Sequence, residues 1–275
     1  MKIAVASGKG GTGKTFVSTS LALIAKNNVQ FLDCDVEEPN GHIFLNPDLV
    51  GSEQCTVNVP RIIEEKCTFC GKCRDICRFN AITLFAKNIM VFPEMCHSCL
   101  GCFLVCQDNA IVKDERDVGI VEYGQAGTVD FVHGRLRVGE AMAIPLLKAV
   151  KKKAKPDYLV IIDAPPGTSC PFVTTVTDAD YVILVTEPTP FGLYDLQLAV
   201  EVLHAMDKPH GVIVNKDNLG DNKVEQWCKD AGIPVLMKIP FERRLAEGYA
   251  YGENLVDLNP DLRQPLWNLI RELAS

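Results

Sequence analysis

Short apolar runs rich in β-branched residues recur along the chain. Each is followed by a turn and then by a stretch with apolar residues every third or fourth position. IAVAS (3–7) ends in glycines and leads into a helical pattern from Lys14 to about Lys26. VQFLDCD (29–35) ends in acidic residues, while YLVIID (158–163), YVILVTE (181–187) and GVIVN (211–215) are near-continuous apolar runs. Runs of this kind suit parallel strands buried on both faces. Helical patterns lie between them at about 192–206 and 222–231. The alternation predicts an α/β fold with a mostly parallel, doubly wound sheet and right-handed crossovers. At the end of the chain, Asn259-Pro260 followed by Leu262, Leu266, Ile270 and Leu273 predicts a capped helix with one apolar stripe. Its polar face carries Arg263 and Arg271 offset by acids, so the stripe is expected to pack on the sheet and not on a membrane surface.

The pattern breaks in the middle, which divides the chain into a discontinuous domain of residues 1–59 and 113–275 and a small α+β insert of residues 60–112. A length of 275 residues, 47% of them hydrophobic, is enough for one large domain and such an insert. The formal charge is -7, and the only approach to a basic run is Lys151 to Lys155. Nucleic acid, which wants a concentrated positive face, is not an expected partner. The N-terminal MKIAVASGKGG turns to glycine too soon for a signal peptide, and no stretch reaches the ~18 apolar residues that would span a bilayer, so no integral membrane association is expected. The chain reads as cytoplasmic. Its twelve cysteines then need a purpose other than disulfides, because cytosolic thiols are kept reduced.

Gly8-Lys9-Gly10-Gly11-Thr12-Gly13-Lys14-Thr15 fits the phosphate-loop pattern G-x-x-x-x-G-K-[ST] at every fixed position, between a predicted strand and a predicted helix. Glycines let the backbone curl so that successive N–H groups face phosphates, Lys14 adds a positive charge, and the Thr15 hydroxyl is a Mg²⁺ ligand. The second lysine, Lys9, resembles the deviant Walker A motif of the MinD/ParA/nitrogenase iron-protein superfamily. That resemblance implies an ATPase in which Lys9 reaches across a nucleotide-dependent homodimer. It also implies that Asp33 and Asp35 are switch I acids, with Asp35 orienting the attacking water, and that Asn40 lies near the nucleotide. Asp163 resembles the Walker B acid that holds Mg²⁺ through water, with the Pro-Pro-Gly-Thr after it as switch II. Asn215 is placed like the adenine-binding asparagine, and the stretch from Pro240 to Arg243 resembles the loop on the base side. A GTP site would want N-K-x-D, but Asn215-Lys216-Asp217 is followed by Asn218, which favours ATP.

Eight cysteines fall in two runs. Cys67, Cys70, Cys73 and Cys77 are spaced C-x₂-C-x₂-C-x₃-C, and Cys96, Cys99, Cys102 and Cys106 repeat that spacing 29 residues later, as does the tripeptide Asn-Ala-Ile at 80–82 and 109–111. This is an internal duplication. Zinc wants two separated pairs, and a third and fourth cysteine in each run have no use at a tetrahedral zinc site. The runs resemble those of two-cluster bacterial ferredoxins, in which the fourth cysteine of each run ligates the other cluster. The resemblance implies two [4Fe–4S] clusters, one on Cys67, Cys70, Cys73 and Cys106 and the other on Cys96, Cys99, Cys102 and Cys77. Arg78 and Gln107 stand where such motifs usually place proline, which alters the surroundings of the sulfurs without removing a ligand.

Together the motifs resemble a subgroup of MinD-superfamily ATPases with an inserted ferredoxin-like domain. Two functions follow as expectations. Nucleotide-driven changes of the dimer could gate electron transfer to an unidentified redox partner. Alternatively the chain is an assembly or positioning ATPase acting on a client protein, with structural or redox-sensing clusters. Cys34, Cys55 and Cys228 are expected as buried small hydrophobes. Cys170 sits in switch II, where the nitrogenase iron protein has a cluster ligand. A bridging cluster needs two such cysteines, and none lies between Cys106 and Cys170. His42, His97, His133, His204 and His210 show no metal spacing, and His97 is expected as a solvated loop residue.

Overall fold

The computed structural model describes residues 1–25 and 28–274. In chain order the strands are β1 (Lys2–Ala6), β2 (Val29–Asp33), β3 (Asp48–Ile62), β4 (Ile82–Phe85), β5 (Asn88–Val91), β6 (Ile111–Ala126), β7 (Val129–Leu136), β8 (Leu159–Asp163), β9 (Tyr181–Thr186), β10 (His210–Asn215) and β11 (Val235–Ile239). The helices are α1 (Lys14–Ile24), α2 (Gly41–Leu45), α3 (Lys72–Ile76), α4 (Gly101–Val105), α5 (Ile144–Lys151), α6 (Cys170–Val176), α7 (Pro190–Ala205), α8 (Lys223–Asp230), α9 (Arg243–Ala250), α10 (Leu255–Leu258) and α11 (Arg263–Leu273). The helix expected to reach about Lys26 is formed from Lys14 to Ile24, and Lys26 lies outside the described residues.

A nine-stranded sheet runs in the order β11-β10-β9-β1-β8-β2-β7-β6-β3. From β11 to β7 neighbouring strands are parallel. The last two pairings, β7 with β6 and β6 with β3, are antiparallel. Alternation along each central strand sorts side chains into two layers. Ile3, Val5, Phe31, Ile161 and Ile183 face one layer, with α1 and α9 to α11; Ala4, Ala6, Leu32, Ile162 and Leu184 face the other, with α5 to α8. Burying each large side chain of this kind contributes ~1.5–3 kcal/mol.

The apolar pattern did not reveal β3, β6, β7 or β11. The reason for the first two is burial. A strand with one solvated face carries polar residues there, and β3, at the edge, is polar and exposed over most of its length and contains Pro60. The C-terminal segment also differs from expectation. Asn259 does not cap α11; Pro260–Leu262 forms a 3₁₀ turn first, and the Asn259 amide points to Glu242 at 3.4 Å. The buried stripe is Leu266, Leu269 and Ile270, seated in the layer that holds α1. Cys34 and Cys228 are buried as expected, but Cys55, on the edge strand, is only half-buried.

Residues 63–110 hang from the far end of the β3/β6 ribbon. Pairing there continues to Ile62 against Ile111, and β4 pairs with β5 in a separate two-stranded sheet, Ile82 against Val91. The duplication seen in the cysteine spacing extends to the backbone. Phe69 and Ser98 share φ near 55° and 53°, Asn80 and Asn109 share 52° and 49°, and α4 stands to the second run as α3 stands to the first. Among the described residues, no helix is long and apolar enough to cross a membrane.

Candidate functional site

The loop between β1 and α1 curls through two left-handed glycines, Gly11 (φ 80°) and Gly13 (φ 88°). A β-carbon at Gly13 would collide with Asn215, and one at Gly8 would collide with the Asp195 carbonyl, so glycine is required at both. Over Gly10 and Gly11 nothing lies within 4 Å of where a β-carbon would sit, which leaves their face open. Inside the loop, the Thr12 hydroxyl is buried without a hydrogen-bond partner.

At the start of α1, Lys14 Nζ lies 3.1 Å from Asp163 Oδ1 and 3.4 Å from Asp35 Oδ2, and the Thr15 hydroxyl donates to Asp163 Oδ2 at 2.7 Å. These groups come from the ends of adjacent strands β2 and β8, paired at Asp33 and Asp163, and from the helix that follows β1. Burial works against the charge on Lys14, but Asp163, Asp35 and Asp33 outweigh it and hold its pKa above the usual lysine range. Burial pushes the Asp35 carboxyl up to about 6 against the pull of Lys14. Burial, reinforced by Asp163, pushes Asp33 up to about 8. Asp33 accepts from the backbone N–H of Asp35 at 3.1 Å and of Gly41 at 2.8 Å, so its job is to shape the 34–41 segment that presents Asp35. Asn40 begins α2 with its side-chain oxygen buried and unpartnered.

Lys9 forms an ion pair with Glu187, which Lys216 also contacts at 3.1 Å. The two lysines hold the Glu187 carboxyl below its usual range despite its partial burial. Asn215 donates to the Thr12 carbonyl at 2.7 Å and so braces the loop. Beyond it opens a cleft of about 270 Å³ lined by Phe16, Asn215, Lys216, Pro240, Phe241 and Tyr249, among others. Asn218 donates to the Phe241 carbonyl at 3.1 Å and accepts its N–H at 2.6 Å, which ties the cleft wall to β10.

The cysteines gather around two small cavities of about 20 Å³ each. The first is lined by Cys67, Cys70, Cys73 and Cys106, the second by Cys77, Cys96, Cys99 and Cys102. The fourth thiol of each run accepts a backbone N–H at 3.3 Å, Cys77 from Ala81 and Cys106 from Ala110. Among the described residues, no group of three or more His, Cys, Asp or Glu converges as a single-ion site. His97 is exposed, but it stacks on Phe79 at 3.7 Å between ring centroids and does not stand free in solvent.

A family model, the CobQ/CobB/MinD/ParA nucleotide binding domain, matches residues 3–256. The chain belongs to this family. An uncharacterized protein of Methanocaldococcus jannaschii is 34% identical over 281 residues, covering 100% of this chain and 97% of that protein. The iron-sulfur cluster carrier protein of Pyrococcus horikoshii is 28% identical over 275 residues, covering 93% of this chain and 79% of that protein. Among solved structures, the cell division ATPase MinD of Pyrococcus furiosus has a TM-score of 0.61 at 19% identity, covering 99% of this chain and 98% of that one. The septum site-determining protein MinD of Pyrococcus horikoshii, complexed with Mg-ADP, has a TM-score of 0.59 at 21% identity, covering 99% and 95%. At these identities the likeness is one of fold.

Within the family fold, Lys14, Thr15, Asp35 and Asp163 meet at one point. Asn215 and Pro240 flank the neighbouring cleft. Lys9 is held by Glu187, which Lys216 of the cleft wall also contacts. Cys170 is exposed at the start of α6, away from both cysteine cavities and absent from their linings. Sequence reasoning missed Glu187, Lys216 and Asn218, although VTEP directly after a predicted strand and the N-K-x-N run were visible signals. It also missed His133, buried on β7 with Nε2 3.1 Å from Glu122, because no spacing marks it.

Proposed function

We propose that this protein binds and hydrolyses Mg-ATP and carries two [4Fe–4S] clusters, with nucleotide state governing electron transfer through them. The observation that carries this reading is the lining of the two cavities, each drawing three thiols from one cysteine run and the fourth from the other. Two clusters with crossed fourth ligands need that arrangement, whereas a zinc site does not. In this reading residues 1–59 and 113–275 form the ATPase unit and 60–112 a ferredoxin-like insert.

The residues present fit the groups. The open face over Gly10 and Gly11 and the unpartnered Thr12 hydroxyl suit phosphate oxygens. Lys14 would neutralise phosphate charge, Thr15 and Asp163 would hold Mg²⁺, and the cleft beside Asn215 and Pro240 would take the adenine. Asp35 would orient the attacking water, provided its carboxyl is ionised. Lys9 would leave Glu187 to reach the nucleotide of a second subunit, so dimerisation and hydrolysis would be coupled. Backbone N–H groups donate to the sulfurs of Cys77 and Cys106, contacts that would orient them as ligands. Bound clusters supply one-electron transfer; the chain's part is to hold the thiolates and link them to the sheet edge.

A second reading has its own support. The Pyrococcus horikoshii relative is an iron-sulfur cluster carrier protein, and a Caenorhabditis elegans relative, 29% identical over 126 residues, is a cytosolic Fe-S cluster assembly factor homolog. On that reading the ATPase serves assembly and the partner is a client protein.

The test is anaerobic purification with iron and sulfide counts, then ATPase rates in oxidised and reduced protein. About eight iron and eight sulfide per chain are expected. A preparation that takes up about one zinc per run and no iron overturns the cluster assignment. Hydrolysis accelerated by reduction supports gating; acceleration by a client protein regardless of redox state supports assembly.

A further inference from the structure

The two halves of the cysteine repeat are attached to the sheet differently. Cys67 packs within the small core of residues 63–110, whereas Cys96, its counterpart 29 residues on, packs against the main core of the large sheet. Asn58 and Pro60 of β3 also line the second cavity. The repeat ends at this junction, where β6 runs on past the point at which β4 turns. Arg116, on β6, corresponds to Lys87, which is exposed in the turn between β4 and β5. Arg116 forms a buried ion pair with Glu140, the two side chains being 5% and 1% exposed. Its Nη2 reaches the Cys96 carbonyl at 3.5 Å, and its Nε has no partner.

Glu140 in turn is fixed to the end of β7. Its carboxylate accepts the Met142 N–H at 2.9 Å, and its own N–H donates to the Arg137 carbonyl at 3.0 Å. One residue before Arg137, the Leu136 N–H donates to the Val36 carbonyl at 2.9 Å. Val36 directly follows Asp35. There is no slack at this joint, because a β-carbon at Gly134 would collide with Val36. Close-packed interiors pass displacement on and do not absorb it.

We infer that the site of Cys77, Cys96, Cys99 and Cys102 is the nucleotide-responsive one of the two, and that Arg116 is the positioning residue that links it to the Asp35 segment. This inference rests on the reading of ATP and clusters above. The buried pair of Arg116 and Glu140 sets a dipole at the edge of this site in a low-dielectric setting, where a small movement of the guanidinium relative to its carboxylate changes the local field strongly. Among the described residues, the other site has no such link. The counterpart contacts at its rim, Thr68 to Asp108 at 2.7 Å and Lys72 to Gln107 at 2.8 Å, are exposed and therefore screened.

The experiment is an anaerobic redox titration with dithionite, followed by electron paramagnetic resonance, on the cluster-loaded full chain. It compares no nucleotide, Mg-ADP and a non-hydrolysable Mg-ATP analogue, with iron content and analogue binding measured on the same samples. In the parent, one midpoint should move on adding the analogue and the other should stay. Arg116→Met should lower that same midpoint, since positive charge favours the reduced cluster, and its response to the analogue should vanish. Glu140→Gln keeps the guanidinium and removes its counter-charge, so it should raise that midpoint while weakening the response; it decides the matter if Arg116→Met fails to load iron. Two midpoints moving together, neither moving, or a response that survives both substitutions overturns the inference. Absence of iron or of analogue binding in the parent overturns the underlying reading instead.

Discussion

The phosphate loop follows β1, in the middle of the sheet, whereas the cysteine repeat hangs from its β3/β6 edge, and the two are stabilised in opposite ways. In the loop, every charged group is already engaged: Lys14 with Asp163 and Asp35, Lys9 and Lys216 with Glu187, and Asn215 with the Thr12 carbonyl. A ligand there must exchange partners within a framework that stands without it. In the cysteine repeat, four thiols surround each cavity, and the local core has only Cys73, Ile82, Ile89 and Cys102 as buried members. So little apolar surface gives weak independent stability. One region is preorganised by its own ion pairs; the other, on the proposed reading, would depend on what its thiols hold.

The largest predicted effect tests that dependence. Chelating the metal, or replacing Cys73 by alanine, should strip hydrogen-exchange protection from residues 63–110 while β1, β8 and β9 keep theirs. Equal protection in both regions with and without metal would erase the contrast.

Next comes Lys14. Lys14→Met removes the cation facing three buried carboxyls, Asp33, Asp35 and Asp163, a kind of change that costs ~3–5 kcal/mol. Chemical denaturation of the nucleotide-free variant should show a loss of that order, and calorimetric titration should show ATP binding weakened by roughly a hundredfold or more. Asp163→Asn should mainly cost Mg²⁺-dependent hydrolysis. Parent-like binding and turnover in both variants would mean that these residues do not form a nucleotide site.

The pH dependence is smaller and has a definite sign. Asp33 and Asp35 have folded pKa values of about 8 and about 6, above the unfolded carboxylate value. Folding therefore takes up protons, and this contribution to stability is full below about pH 4 and lost as pH rises through 6 and 8. Denaturant midpoints of the nucleotide-free protein should fall from pH 5 to pH 8, and Asp33→Asn should flatten the upper part of that fall. Hydrolysis should run the other way, rising through about pH 6 as Asp35 ionises, and Asp35→Asn should abolish that rise. A midpoint that climbs with pH contradicts the burial argument.

The smallest effect on stability is expected at Lys9. Its pair with Glu187 is partly exposed, so Lys9→Ala should change stability by less than about 1 kcal/mol. Its consequence should be in assembly: visible absorption and ATP binding retained, ATP-dependent dimerisation lost and hydrolysis poor. Sedimentation with and without Mg-ATP, alongside phosphate release, measures this. A parent that stays monomeric with Mg-ATP removes the trans role, and an unchanged rate in the variant leaves Lys9 as an ordinary loop residue.

The sequence by itself determined the central parallel strands and the local chemistry of the loop and of the cysteine repeat. Strands buried on two faces must be apolar throughout, so β1, β8, β9 and β10 were legible as runs. A phosphate loop is a local structure whose glycines and lysine lie within eight residues, and the cysteine spacing is likewise local. The rest was decided by contacts between distant residues. The antiparallel edge pair β3 and β6 has a solvated face and no apolar signature, so only pairing reveals it. Asp33 and Asp35 are the same residue type two positions apart, and only the family resemblance singled out Asp35. The fold turns Asp33 to the backbone of the 34–41 segment and Asp35 to Lys14, because a strand end can point only one of them at the loop. Glu187 and Asn218 lie in short runs that name no partner, and Arg116 carries no motif; each acquires its role from a partner between 23 and 178 residues away in the chain, a juxtaposition that long-range packing alone creates.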